Sequence, residues 1–137
     1  MNLLKLFLTF IFTIILSHAA FAEKPIVQPQ SQGDITFVSG GVGLDEVAAM
    51  QALKPDYNLQ LLLTLKSGEY LSDVNVAIFD NKGNPALETI TLGPMLWVNL
   101  KPGNYTIKGQ LDEQIIQKKV VVNRNKHTSL HLVWPKE

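Results

Sequence analysis

The sequence predicts an all-β fold, a seven- to eight-stranded antiparallel β-sandwich with one short accessory helix. Three observations lead there. From Tyr57 onward apolar residues recur with a period of two, the mark of strands with one buried face. Turn residues interrupt that pattern about every 8 to 12 positions, the spacing of a sandwich or barrel. The one stretch rich in helix formers, Leu44 to Lys54, is too isolated to build βαβ units.

The elements follow in chain order. Met1 to Lys5 carries one positive charge, Leu6 to Leu16 is almost wholly apolar, and Ala20-Phe21-Ala22 is an A-x-A site before Glu23. This three-part pattern is a secretory signal peptide over residues 1–22, with cleavage after Ala22. A transmembrane anchor needs ~20 apolar residues, more than this run supplies. The product is expected to be periplasmic or secreted, without stable membrane insertion. Residues 23–33 hold two prolines and three glutamines and read as a flexible N-terminal tail. The folded domain is then 34–137.

Ile35 to Val38 reads as a first strand. Ser39-Gly40-Gly41-Val42-Gly43 breaks it before the helix at 44–54, whose first turn holds Asp45 and Glu46, where acidic groups suit the helix dipole. Pro55-Asp56 ends the helix. Leu59, Leu61, Leu63 and Leu65 then alternate with mostly polar neighbours, and Val74, Val76 and Ile78 alternate after the Ser67-Gly68 turn. Asp80 to Asn84 is a turn, Leu87 to Leu92 a strand, and Gly93-Pro94 a stop. Leu96, Val98 and Leu100 form the next set, and Tyr105 and Ile107 another. Gln114 to Val122 and Thr128 to Trp134 complete the count. Lys118-Lys119 interrupts alternation, which implies a bulge or an edge strand.

Composition excludes several functions. Lys and Arg number 12, as do Asp and Glu, so bulk electrostatic capture of nucleic acid or anionic membrane is not expected. Without cysteine there is no disulfide framework, thiol nucleophile or cysteine zinc site. Stability must come from the hydrophobic core, which a chain of this size can supply.

The run Val74 to Gly83, with its D-x-x-G turn, is followed by Leu100-Lys101-Pro102-Gly103-Asn104-Tyr105-Thr106-Ile107, an L-x-P-G-x-Y-x-I motif. Together they resemble the carboxypeptidase regulatory-like domain family, transthyretin-like sandwiches of about seven strands, over roughly Tyr57 to Val133. The glycine-rich segment and acidic helix before them are similar to small uncharacterised secreted bacterial proteins carrying this domain. The resemblance implies a non-catalytic module for stability, adhesion or recognition, and supplies no functional residues. Pro102, Gly103 and Tyr105 also have a direct physical reading. Pro102 presets φ, Gly103 accepts positive φ, and the Tyr105 ring enters the core while its hydroxyl ties back to nearby backbone.

No candidate chemistry outweighs its structural competitor. The Ser39 to Gly43 loop lacks phosphate-loop spacing. Asp45 and Glu46 are adjacent, without the alternating ligands of a calcium loop. His127 and His131 lie ~13 Å apart on an extended strand, too far for one metal ion, and face solvent. No spaced catalytic signature occurs, so neither an enzyme nor a cofactor is expected.

The informative oddity is apolar residues on the wrong parity. If Leu59, Val76, Leu96 and Val98 face the core, then Leu62, Phe79, Met95 and Trp97 point outward. They form either an exposed partner surface or a face covered by Leu44, Val47, Met50 and Leu53 of the helix, and covering is favoured. The sequence therefore points to a secreted or periplasmic binding module for an envelope protein or cell-surface component. The alternative is a small apolar-ligand carrier with a pocket between helix and sheet, lined by Met50, Leu62, Phe79 and Trp97.

Overall fold

Nine strands form two sheets around one main core in a computed structural model that describes residues 25–135. The signal peptide expected at 1–22 lies outside the described residues. The strands are β1 (Gln30–Gln32), β2 (Ile35–Gly40), β3 (Leu59–Leu65), β4 (Asn75–Asp80) and β5 (Pro85–Ile90), then β6 (Met95–Asn99), β7 (Gly103–Leu111), β8 (Gln114–Val122) and β9 (Thr128–Trp134). One helix, α1 (Gly43–Leu53), is followed by a 3-10 turn at Lys54–Asp56. The first sheet runs β1-β2-β6-β3-β9 and the second β5-β4-β7-β8.

The all-β fold stands, and the eight expected strands form where period two or turn chemistry placed them. Their alternation puts Leu59, Leu61, Leu63, Leu96 and Val98 of the first sheet against Val76, Ile78, Leu87 and Ile107 of the second. Each such side chain contributes about 1.5–3 kcal/mol when fully buried. Trp134 closes one end of this core by lying on β7. A Cβ at Gly109 would stand 2.8 Å from its ring, so glycine makes room for the indole.

Two features differ from the sequence reading. The sandwich is not wholly antiparallel, because β9 pairs in parallel with β3, Leu59 beside Thr128 through Leu65 beside Trp134. The tail expected at 23–33 is not free: β1 pairs with β2, and Val27 is buried against the sheet. Periodicity missed β1 because Gln30, Ser31 and Gln32 are all polar and all exposed, as an edge strand permits. Of the bulge or edge strand expected at Gln114 to Val122, the edge strand is found: β8 ends its sheet in unbroken register, and the one register shift of that sheet falls between Ile78 and Phe79 in the β4–β5 pair.

Side chains close the seams where the two sheets meet. At one, the Gln32 amide donates to Glu88 O at 3.1 Å and accepts from Glu88 N at 3.0 Å, standing in for a strand on the β5 edge. At the other, Lys118 Nζ donates to His131 O at 2.9 Å and Trp134 Nε1 to Gln114 O at 3.2 Å.

Candidate functional site

The four off-parity residues do not converge. Trp97 and Met95 lie on β6, on the outer face of the first sheet, and there the helix covers them. Trp97 is 4% exposed, and its Nε1 donates to Met50 O at 2.7 Å, fastening α1 to the sheet. Val38, Met50 and Tyr57 pack around the indole, and Val27 arrives from the N-terminal segment. Of the helix residues expected in the cover, Met50 and Leu53 take part and are joined by Ala49, whereas Leu44 is 87% exposed. Leu62 is half-buried on the same face, in register with Met95 and His131. Phe79 sits on β4 of the other sheet, on the far side of the molecule. Met50, Leu62, Phe79 and Trp97 therefore cannot line a single pocket between helix and sheet. Parity gave each residue its outward direction, but sheet membership separates them.

The rest of the first sheet's outer face is tied up internally. Gln60 Nε2 donates to Tyr57 O at 2.6 Å, Ser129 Oγ donates to Gln60 Oε1 at 3.2 Å, and His127 Nδ1 bonds Tyr57 O at 2.8 Å. A carbonyl can only accept, so His127 carries its proton on Nδ1. Thr64 Oγ1 and His131 Nε2 stand 2.7 Å apart, spacing that a nucleophile and its base would also show. Thr64 is buried, so its hydroxyl is closed to substrate and the pair is a strut between β3 and β9. Both histidines lie on the exposed β9 side as expected, but their rings hold structure together.

The turn residues behave as the sequence reading requires. Tyr105 OH donates to Lys101 O at 2.7 Å, a tyrosine corner spanning Pro102 and Gly103. Burial pushes the Tyr105 phenol above its ordinary pKa, Asp80 adds to this, and Lys101 opposes it. Tyr57 is raised in the same way, by burial and then by Asp56.

Among the described residues no element covers the second sheet's outer face. Register places its outward residues in rungs: Ile90, Asn75, Gln110 and Ile115; Glu88, Ala77, Lys108 and Gln117; Pro85, Phe79, Thr106 and Lys119. Ala77 leaves the middle low. Lys108 Nζ lies 5.2 Å from the Phe79 ring centroid, within the range of a cation–π contact. This stacked pair is a ridge bordering two open depressions, one of about 800 Å³ toward the Asp80 turn and one of about 570 Å³ toward Ile90 and Ile115. The larger holds Lys108, Lys119, Asn104, Thr106 and Gln117. Its one carboxylate, Asp80, accepts at Oδ1 from the backbone of Lys82 and Asn84, both at 2.9 Å, and so belongs to the turn. Among the described residues the one salt bridge joins Lys101 and Asp34 and involves neither Lys108 nor Lys119.

Sequence reasoning found Phe79 but missed the lysines and amides around it. Their signal was present, since every outward position from Asn104 to Gln110 is polar. Such a pattern reads first as a solvated face, and only the sheet pairing brings β7 and β8 beside Phe79. Among the described residues no helix is long and apolar enough to cross a membrane. No family model matches the chain, and neither does any curated protein.

Proposed function

We propose that the chain is a non-catalytic binding module of the cell envelope, periplasmic or secreted, that recognises its partner on the outer face of the β5-β4-β7-β8 sheet. The observation that carries this reading is the unequal use of the two outer faces. Helix α1 seals much of one through Trp97, while the other holds an aromatic ridge and two open depressions that no described residue covers. The signal-peptide pattern at 1–22 supports the location. The two-sheet fold and the Tyr105 corner support kinship with carboxypeptidase regulatory-like domains. A small-ligand carrier has less support, because Trp97, Met50 and Val38 fill the helix–sheet interface.

Amide chemical-shift mapping tests the reading. Fractionated envelope extract is titrated into isotope-labelled mature protein. Shifts are expected at outward positions of β4, β7 and β8, including Phe79, Lys108 and Gln117. Shifts confined to α1 and β2, or none in any fraction, would sink it.

A further inference from the structure

Resting on that reading, we propose that the ligand is an anionic glycan, a sugar chain bearing carboxylate, phosphate or sulfate groups, held across β4, β7 and β8 in the depression that contains Lys108 and Lys119. Charge complementarity is the first argument. Thr106 pairs with Lys119 and Lys108 with Gln117, so the two lysines are diagonal neighbours on one face, roughly 7–8 Å apart at the backbone. Neither has a carboxylate partner among the described residues, and the only acid lining the depression is committed to its turn. Lys108 is also held in place by the Phe79 ring, so less side-chain freedom is lost when it meets an anion.

The neighbouring groups favour a sugar over an acidic peptide. Asn104, Thr106 and Gln117 line the same depression, and their amides and hydroxyl suit a hydroxyl-rich ligand. An extended peptide gains most of its affinity by adding a strand to a sheet edge. Here the β5 edge is occupied at Glu88 by the Gln32 amide and the β8 edge at Gln114 by the Trp134 indole, while Lys118 of β8 reaches across the seam to His131 O of β9. The face offers side chains rather than main-chain partners.

The test is isothermal titration of the mature protein with polygalacturonate, dextran sulfate, neutral dextran and poly-glutamate. Binding to polygalacturonate or dextran sulfate is expected, with the preferred polymer distinguishing carboxylate from sulfate or phosphate recognition. Neutral dextran should not bind. Lys108→Gln with Lys119→Gln should weaken the preferred polymer at least about tenfold without lowering the melting temperature. The same charge change at Lys66→Gln with Lys126→Gln should leave binding intact. Equal loss from both pairs would mean unspecific attraction and overturn the proposal, as would poly-glutamate binding as tightly. Failure of both charged glycans also overturns it. The shift mapping above then decides separately whether the face binds anything at all.

Discussion

The two sheets share one core yet present opposite outer faces. On the first, Trp97 takes α1 as a lid, and Gln60, Thr64, Ser129 and His131 bond one another or nearby backbone. On the second, Asn104, Thr106, Lys108, Gln117 and Lys119 stand around a half-buried Phe79 with no described element above them. Both faces carry aromatic and polar residues, so composition does not separate them. What separates them is whether each polar group meets a partner within the chain. A face whose groups are satisfied internally contributes to stability, and one whose groups are not is free to contribute to recognition.

That contrast sets the expected size of each substitution. Trp97→Ala should be the most damaging, at about 3–5 kcal/mol in urea unfolding, since it empties a buried site and frees the Met50 carbonyl. A smaller loss would mean that α1 is not fastened there. Gly109→Ala strikes the core beneath both faces and should cost about 1–3 kcal/mol, because Trp134 must move to admit the methyl. An unchanged melting curve would show that the indole has room to spare. Tyr105→Phe removes the corner hydrogen bond, with an expected loss of about 1 kcal/mol.

The same tyrosine carries a pH dependence. Its pKa is raised above 10.0 in the fold, so the unfolded chain releases this proton first. Stability is then fully present below pH 10 and falls as pH climbs through the raised value. Tyr105→Phe should flatten that alkaline slope in denaturation curves. The smallest effect belongs to the open face, where Gln117→Ala should change stability by no more than about 0.5 kcal/mol. A large loss there would make the face a structural surface and erase the contrast.

Most of the fold was legible in the chain. Leu59 to Leu65 and Leu96 to Leu100 announce strands by alternation, and Pro102-Gly103-Asn104-Tyr105 announces its own corner. β1 was not legible, because alternation requires an apolar member and Gln30-Ser31-Gln32 has none. The site was legible only by half. Parity shows that Phe79 and Trp97 both point away from the core, but strand order decides that one meets a helix and the other meets solvent. Strand order depends on pairings between distant segments, and no local pattern encodes it. Lys108 and Lys119 illustrate the same limit, since eleven positions separate them in the chain and one register brings them together.

The parallel pairing of β3 with β9 also governs the order in which the molecule can assemble. β3 is an interior strand of its sheet, and one of its two neighbours, β9, is the last of the described strands, with Leu59 beside Thr128. Closing so long a loop precedes any return from the contacts it brings, which places this topology among slow folders. A nascent chain lacking residues 128–134 leaves one side of β3 without hydrogen-bond partners and the core without Trp134 and Leu132. Assembly of this sheet therefore waits for β9, and the core stays open until residues 128–134 have been made.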